Sequence, residues 1–316
     1  MATLSLTLSC GDYDRTRPLI EGRVNTQGLD LTVIPLPSAQ RHNRFVKNFE
    51  FDVCELQVAQ YLGLKSRGAP IAALPVFPHR RFNHSCVLIR RDSDIQRPED
   101  LRDRRIGIQG HFNPIALWMR GVLQHEHGVH PSQVRWVSKG AENIPGWSPP
   151  PWLRLEAAPA GRSLANLLAQ GELDGQILSD TGVDNLADSP HVRRLWPNYR
   201  EVEAGYYRRT GIFPIRHLVV VKEEVLRRDR QVGQTLVALF EESKQLAYRY
   251  WADHRRSSLA WFGAQQEEER ALFGADPWPY TIDDNRPVLD TLLDYAFEQG
   301  LTDRRLAIEE IFAPLD

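Results

Sequence analysis

Apolar and polar residues alternate through Leu4-Ser5-Leu6-Thr7-Leu8-Ser9, a period of two that predicts a strand with one buried face. A glycine turn follows at Gly11, and residues 15–21 are predicted to start a helix that Pro18 interrupts early. Residues 29–34 then read as a strand closed by Pro35, 39–48 as a helix, 51–56 as a strand and 58–64 as a helix. A second block repeats the order, with strands at 105–108, 134–137 and 173–178 and helices at 114–125 and 164–170. Two successive β-α-β-α-β blocks predict an α/β fold of two doubly wound lobes.

Two β-branched apolar runs, 85–89 and 217–221, bracket the second block and read as strands that cross between the lobes. Lobe 1 is then residues 1–88 with 218–316, and lobe 2 is residues 89–217. Helical spacing of Val232, Leu236, Leu239, Phe240, Leu246 and Tyr250 predicts a long helix returning over lobe 1. The proline-rich stretch 144–152 cannot join a sheet interior, so Trp147 and Trp152 cover either a cleft or a surface. Ligands of such folds sit between the lobes, facing the carboxyl ends of the strands. That rule selects residues 11–17 and Glu55 from one lobe, 110–114, 138–142 and 179–182 from the other, and His84 and His217 at the crossings. The two histidines are expected to lie together.

Composition narrows the partners. The chain has 316 residues, 42% of them hydrophobic and 25% charged, and a formal net charge of -2, which gives no footprint for nucleic acid. No apolar run approaches the ~18 residues that span a bilayer. The first residues lack a basic region followed by an apolar one, so a cytoplasmic location is expected. Cys10, Cys54 and Cys86 lack zinc spacing and read as buried thiols of a reducing compartment. In His125-Glu126-His127, residues two apart on a helix do not face one way, so this is read as a solvated helix end stopping at Gly128. Neither a metal nor a cofactor is expected, and a homo-oligomer stays open.

The turn Asp12-Tyr13-Asp14-Arg15-Thr16-Arg17 is either a grip for an anionic ligand or a charge-paired turn in solvent. Arginine binds carboxylate bidentately, and Arg15, Arg17, Arg81 and Arg120 are the candidates, with Arg216 either a fifth or a surface residue of the crossing. His84 and His217 are the candidates for moving protons near neutral pH, with Asp12 or Glu55 to orient one of them. Phe77, Phe82 and Trp118 either stack on a ligand ring or belong to the core, and Asn113 is a further candidate contact.

Several stretches together resemble the 4,5-dihydroxyphthalate decarboxylase family, whose fold is that of type II periplasmic solute-binding proteins. They are residues 11–19 (GDYDRTRPL), 22–24, 51–56 (FDVCEL), 81–85, 118–121, 210–217 (TGIFPIRH), 278–280, 285–286, 298–301 and 311–314, spread over nearly the whole chain. The chain departs from the family pattern at Asn83, where arginine is usual, and at Arg216, where methionine is usual. It departs again around Phe112-Asn113-Pro114 and across residues 139–143, which lack a glycine pair. The resemblance implies loss of carbon dioxide from an aromatic dicarboxylic acid without oxidant or cofactor, giving protocatechuate in the family's own reaction. A ring carbanion in the ring plane is not stabilised by the π system, so the carbon bearing the carboxylate is protonated first. Such a site needs a cationic clamp, an acid near ring carbon and a base near the phenol. The rival readings are a non-catalytic solute receptor, a dehydratase of a cyclic acid on the same scaffold, and a ligand sensor.

Overall fold

The computed structural model describes residues 4–26, 28–178 and 189–315. Its elements in chain order are β1 (Ser5–Cys10), α1 (Arg17–Ile20), β2 (Asp30–Pro35), α2 (Ser38–Asn48), β3 (Val53–Gln57), α3 (Val58–Lys65) and β4 (Ile71–Arg80). Next come β5 (Val87–Arg90), β6 (Arg105–Ile108), α4 (Pro114–His127), β7 (Arg135–Ser138), β8 (Leu155–Ala157), α5 (Leu164–Ala169), β9 (Gly175–Ile177) and β10 (Val192–Arg194). The chain ends with α6 (Tyr199–Thr210), β11 (Ile215–Lys222), α7 (Glu223–Arg228), α8 (Val232–Trp251), α9 (Phe262–Phe273), α10 (Arg286–Glu298) and α11 (Ile308–Ile311).

These strands make two sheets, a five-stranded one of order β2-β1-β3-β11-β4 and a six-stranded one of order β10-β5-β9-β6-β7-β8. Within the first, β1 pairs in parallel with β2 and β3, and β11 is antiparallel to β3 and β4. In the second, β9, β6, β7 and β8 are parallel, with β5 antiparallel at β9. Two mixed sheets with helices between their parallel strands are the two-lobed α/β architecture that the spacing predicted, and they fit the type II periplasmic-binding-protein-like fold that the resemblance implied.

Sheet membership shifts the expected lobe limits slightly. Val87 and Leu88 pair in the second sheet, while residues 215–217 already belong to the first. The tail also divides: α8 lies against α1 and β4, whereas α10 lies against α4. At the N-terminus, Pro18 does not interrupt a helix but helps to start one. Its missing N–H falls in the first turn of α1, where no intrahelical partner exists. The strand of residues 71–80 went unread because its two prolines, Pro75 and Pro78, argue against a ladder; β4 is an edge strand, where they are tolerated.

Helix α4 ends at Gly128, whose φ of 63° gives the left-handed cap where the solvated end was expected. Its three acidic and imidazole groups go to different partners: His125 to Glu298, Glu126 to Arg209 and His127 to Glu99. Midway along α4, Gly121 lets the Tyr295 ring of α10 close onto the helix, since an added Cβ would lie 2.0 Å from that ring. Gly121→Ala should therefore cost about 1–3 kcal/mol by forcing α10 away from α4. Urea unfolding measures this, and an unchanged midpoint would contradict the packing described.

Candidate functional site

Glu55 lies on β3 beside the carboxyl end of β1. Its Oε2 accepts the N–H of Gly11 at 2.7 Å, and its Oε1 accepts the Tyr13 hydroxyl at 3.0 Å. Arg41 of α2 places Nη2 3.0 Å from Oε1, with both side chains fully buried. Arg41 also donates through Nε to the Glu55 carbonyl (2.9 Å) and through Nη1 to the Leu36 carbonyl (2.5 Å). His217, at the start of β11, sets Nδ1 2.5 Å from Glu55 Oε1. A buried ion pair survives only when such extra hydrogen bonds offset the lost hydration.

Electrostatics fix the protons. Burial works against a charged Glu55, but Arg41, His217 and the Gly11 N–H outweigh it and hold the carboxyl well below the ordinary range. Burial lowers His217 from its usual value, and the adjacent carboxylate restores only part of that. A neutral imidazole beside an ionised carboxylate must carry its proton on Nδ1 and donate it, which leaves Nε2 as a base. The rings of His42 and His79 meet His217 edge-on at centroid distances of 4.8 and 4.6 Å. Burial, then the neighbouring His217, pushes both far below the usual histidine value, so neither competes for the proton.

Arg15 links this cluster by contact to Trp278. Its Nε donates to the Pro78 carbonyl (2.5 Å), its Nη1 to Asp14 (2.9 Å), and the guanidinium lies over the Trp278 indole at 3.8 Å and near the Tyr13 ring at 4.8 Å. Trp278 is one wall of a cavity of about 770 Å³ that Arg81, Phe82, Phe213 and Phe273 also line. Phe213 touches Phe82, Phe273 and Trp278 at 5.0, 5.1 and 5.7 Å, so this wall is a continuous aromatic surface. That volume suits a single-ring acid.

Several expected residues stand elsewhere. His84 and His217 do not share a site. Successive strand residues point to opposite faces; Arg216 turns to Asn83 (2.9 Å) and the Phe82 carbonyl (3.0 Å), and His217 turns to Glu55. His84 lies on the Arg216 side, against Trp196 and Tyr206 at 5.1 and 5.7 Å, and burial pushes its pKa down to about 4. Arg216 is 1% exposed, not a surface residue. Asp12 and Arg17 form a half-exposed bidentate pair at 3.0 and 2.8 Å, the charge-paired turn of the two alternatives, and are not at Glu55.

Asn113 spends its side-chain oxygen capping α4, taking the N–H groups of Ile115 and Ala116. Trp118 is fully buried and donates to the Ile215 carbonyl at 2.8 Å, so it ties α4 to β11 rather than stacking on a ligand. Arg120, also fully buried, donates to Gln299 (2.7 Å) and the His111 carbonyl (2.8 Å), and burial lowers its pKa to about 9; it fastens α10 to α4 and is no clamp for substrate. Phe77 belongs to the core, while Phe82 lines the cavity. Trp147 stacks on His111 at 4.9 Å and donates to the Gly300 carbonyl, so the 144–152 loop packs onto a surface. Residues 179–182 lie outside the described residues. The contributions of Tyr13, Arg41, His42 and His79 went unread; the signal for two of them was present, since Arg41 and His42 share a stripe with Phe45 and Val46 at a spacing of four.

A family model described as NMT1/THI5 like matches residues 24–145. The 4,5-dihydroxyphthalate decarboxylase of Comamonas testosteroni is 33% identical over 322 aligned positions, covering 99% of this chain and 98% of that protein. Its namesake from Pseudomonas putida is 33% identical over 214 positions, 66% of this chain and 83% of that protein. Among solved structures, the alkanesulfonate-binding protein SsuA from Xanthomonas axonopodis pv. citri bound to MOPS superposes with a TM-score of 0.58 at 14% identity, covering 99% of this chain and 98% of that one. The last likeness speaks for the fold, and the first two for kinship. The chain belongs to the 4,5-dihydroxyphthalate decarboxylase family, on the scaffold of type II periplasmic solute-binding proteins.

Proposed function

We propose that this protein removes carbon dioxide from an aromatic dicarboxylic acid of the 4,5-dihydroxyphthalate type, without oxidant or cofactor. One observation carries the step from family to reaction: an imidazole, His217, whose Nδ1 is committed to a buried, ionised carboxylate. A solute receptor gains nothing from a base held ready in this way, whereas a ring decarboxylation requires one. His217 Nε2 takes the proton of the phenol para to the departing carboxylate, and the electrons so released raise the basicity of the ring carbon. Glu55 steadies the imidazolium while it exists and hands the same tautomer back. Arg15 and Arg81 supply positive charge for the carboxylates, and the aromatic wall of the cavity receives the ring. Three buried free thiols accord with a reducing compartment, and a cytoplasmic location is part of the proposal.

The test is incubation of the purified protein with 4,5-dihydroxyphthalate and related aromatic acids, following carbon dioxide. His217→Ala should lower kcat by about 10²–10⁴-fold while acid binding, followed by calorimetry, changes little. Tight binding by the wild type with no carbon dioxide would favour the receptor reading, which the SsuA likeness keeps as the alternative.

A second prediction concerns Glu55. Glu55→Gln leaves the Arg41 charge buried without its partner and should destabilise the fold by about 3–5 kcal/mol. The sign with pH follows from the depressed carboxyl. Its contribution is complete above the unfolded value of about 4.3 and is lost as pH falls through the lower folded value. The difference in unfolding free energy between wild type and Glu55→Gln should be steady from neutral pH down to about 5 and shrink below about 4. A difference that instead grew as pH fell from about 7 towards 5 would show the carboxyl to be protonated near neutrality.

A further inference from the structure

With His84 turned away, the reaction proposed above lacks an acid to protonate ring carbon, and the cavity wall holds one. Helix α6 crosses the turn at residues 84–86, and its buried positions are Glu203 and Tyr206. Glu203 is 8% exposed; its Oε1 accepts the Ser85 N–H at 3.2 Å and lies 3.8 Å from His84 Nδ1. The carboxyl and the imidazole nevertheless face different spaces. Glu203 lines the 770 Å³ cavity with the aromatic wall, while His84 borders a separate one of about 300 Å³ beside His127 and Arg209.

The protonation states separate the two groups as well. Burial raises Glu203 to about 7, against the lowering pull of the Ser85 and His84 N–H groups, Arg81 and Arg216. Burial drives His84 the other way, so near neutral pH the carboxyl, about half protonated, and not the imidazole is the member of this pair that holds a proton. The surrounding charges favour the same outcome once an acid is bound. Arg200 of α6 is spent on Glu268 of α9, and Glu269 beside it is itself raised by burial. Arg208 of α6 and Arg81 line the cavity as well, which places positive charge on the wall that a carboxylate would face. An entering dianion adds negative charge near Glu203 and favours the neutral carboxyl further.

A structural role alone does not account for an acid here. Accepting the backbone N–H groups of the 84–86 turn is work that a glutamine oxygen does equally well, without the cost of burying an ionisable group.

We infer that Glu203 is the proton donor to the ring carbon bearing the departing carboxylate, with the ring seated against Phe82, Phe213 and Trp278; this rests on the decarboxylase reading. In the step, the Glu203 O–H bond breaks and a C–H bond forms at that carbon, drawing on the electrons pushed in by the deprotonated phenol. The bond to the carboxylate then breaks, carbon dioxide leaves, and the electron pair restores the aromatic ring. The phenolate regains its proton from the base that took it, and the Glu203 carboxylate takes one from water. One proton is consumed for each carbon dioxide released, and no oxidant or reductant is needed.

The experiment compares wild type with Glu203→Gln on 4,5-dihydroxyphthalate, measuring kcat and KM from pH 5.5 to 9 with a thermal melt as a check on folding. The wild-type kcat/KM should fall as pH rises through about 7, and kcat at a higher pH, as the donor loses its proton. Glu203→Gln should lose about 10²-fold or more in kcat, keep KM within a few fold, and lose that alkaline limb. A variant that turns over like wild type, or one slowed with the alkaline limb intact, overturns the donor role. A wild type that binds the acid and releases no carbon dioxide sinks the decarboxylase reading and the donor role together. An active wild type matched by its variant sinks the donor role alone.

Discussion

One buried carboxylate holds the site together. Glu55 is bonded to the Gly11 turn after β1, to Arg41 on α2 and to His217 on β11, so one charge joins three segments. Removing a carboxylate from water is expensive, and only the convergence of a guanidinium, an imidazole, a phenol and a backbone N–H makes its ionised form the stable one. The same ionised form decides which nitrogen of His217 carries the proton. Fold stability and chemical readiness thus depend on one group.

The positions that depart from the family pattern are not scattered. Arg216 donates to Asn83, so the guanidinium usual at one of these positions stands at the other, facing its partner across the crossing. The Glu142 carboxylate accepts the N–H groups of His111 and Phe112, joining the two other divergent stretches. Paired changes of this kind preserve local satisfaction of charge and hydrogen bonds.

Much of the architecture was legible in the sequence because strand and helix periods are local: residues 29–34 and 105–108 announce themselves within a few positions. The strand of residues 71–80 was hidden by Pro75 and Pro78, since edge position is a tertiary fact. At the site, Glu55 could be placed on a strand that faces the cleft and His217 at a crossing between the lobes. What the sequence could not supply was which face a crossing residue takes. A shift of one position sends Arg216 and His217 to opposite sides, so pairing His84 with His217 was a matter of facing that sequence spacing leaves open. Arg120 and Trp118 misled for a related reason. A guanidinium suggests a carboxylate and an indole a stacked ring, and only the packed structure shows that Gln299 and the Ile215 carbonyl already engage them.

The most direct measurement of the central claim is the tautomer of His217, read by long-range proton–nitrogen NMR on selectively labelled protein between pH 7 and 8. An ionised Glu55 requires Nδ1 to bear the proton and Nε2 to resonate as a bare, basic nitrogen. A protonated Nε2 beside a bare Nδ1 would mean that Glu55 holds the proton itself, and that the base the reaction needs is not there.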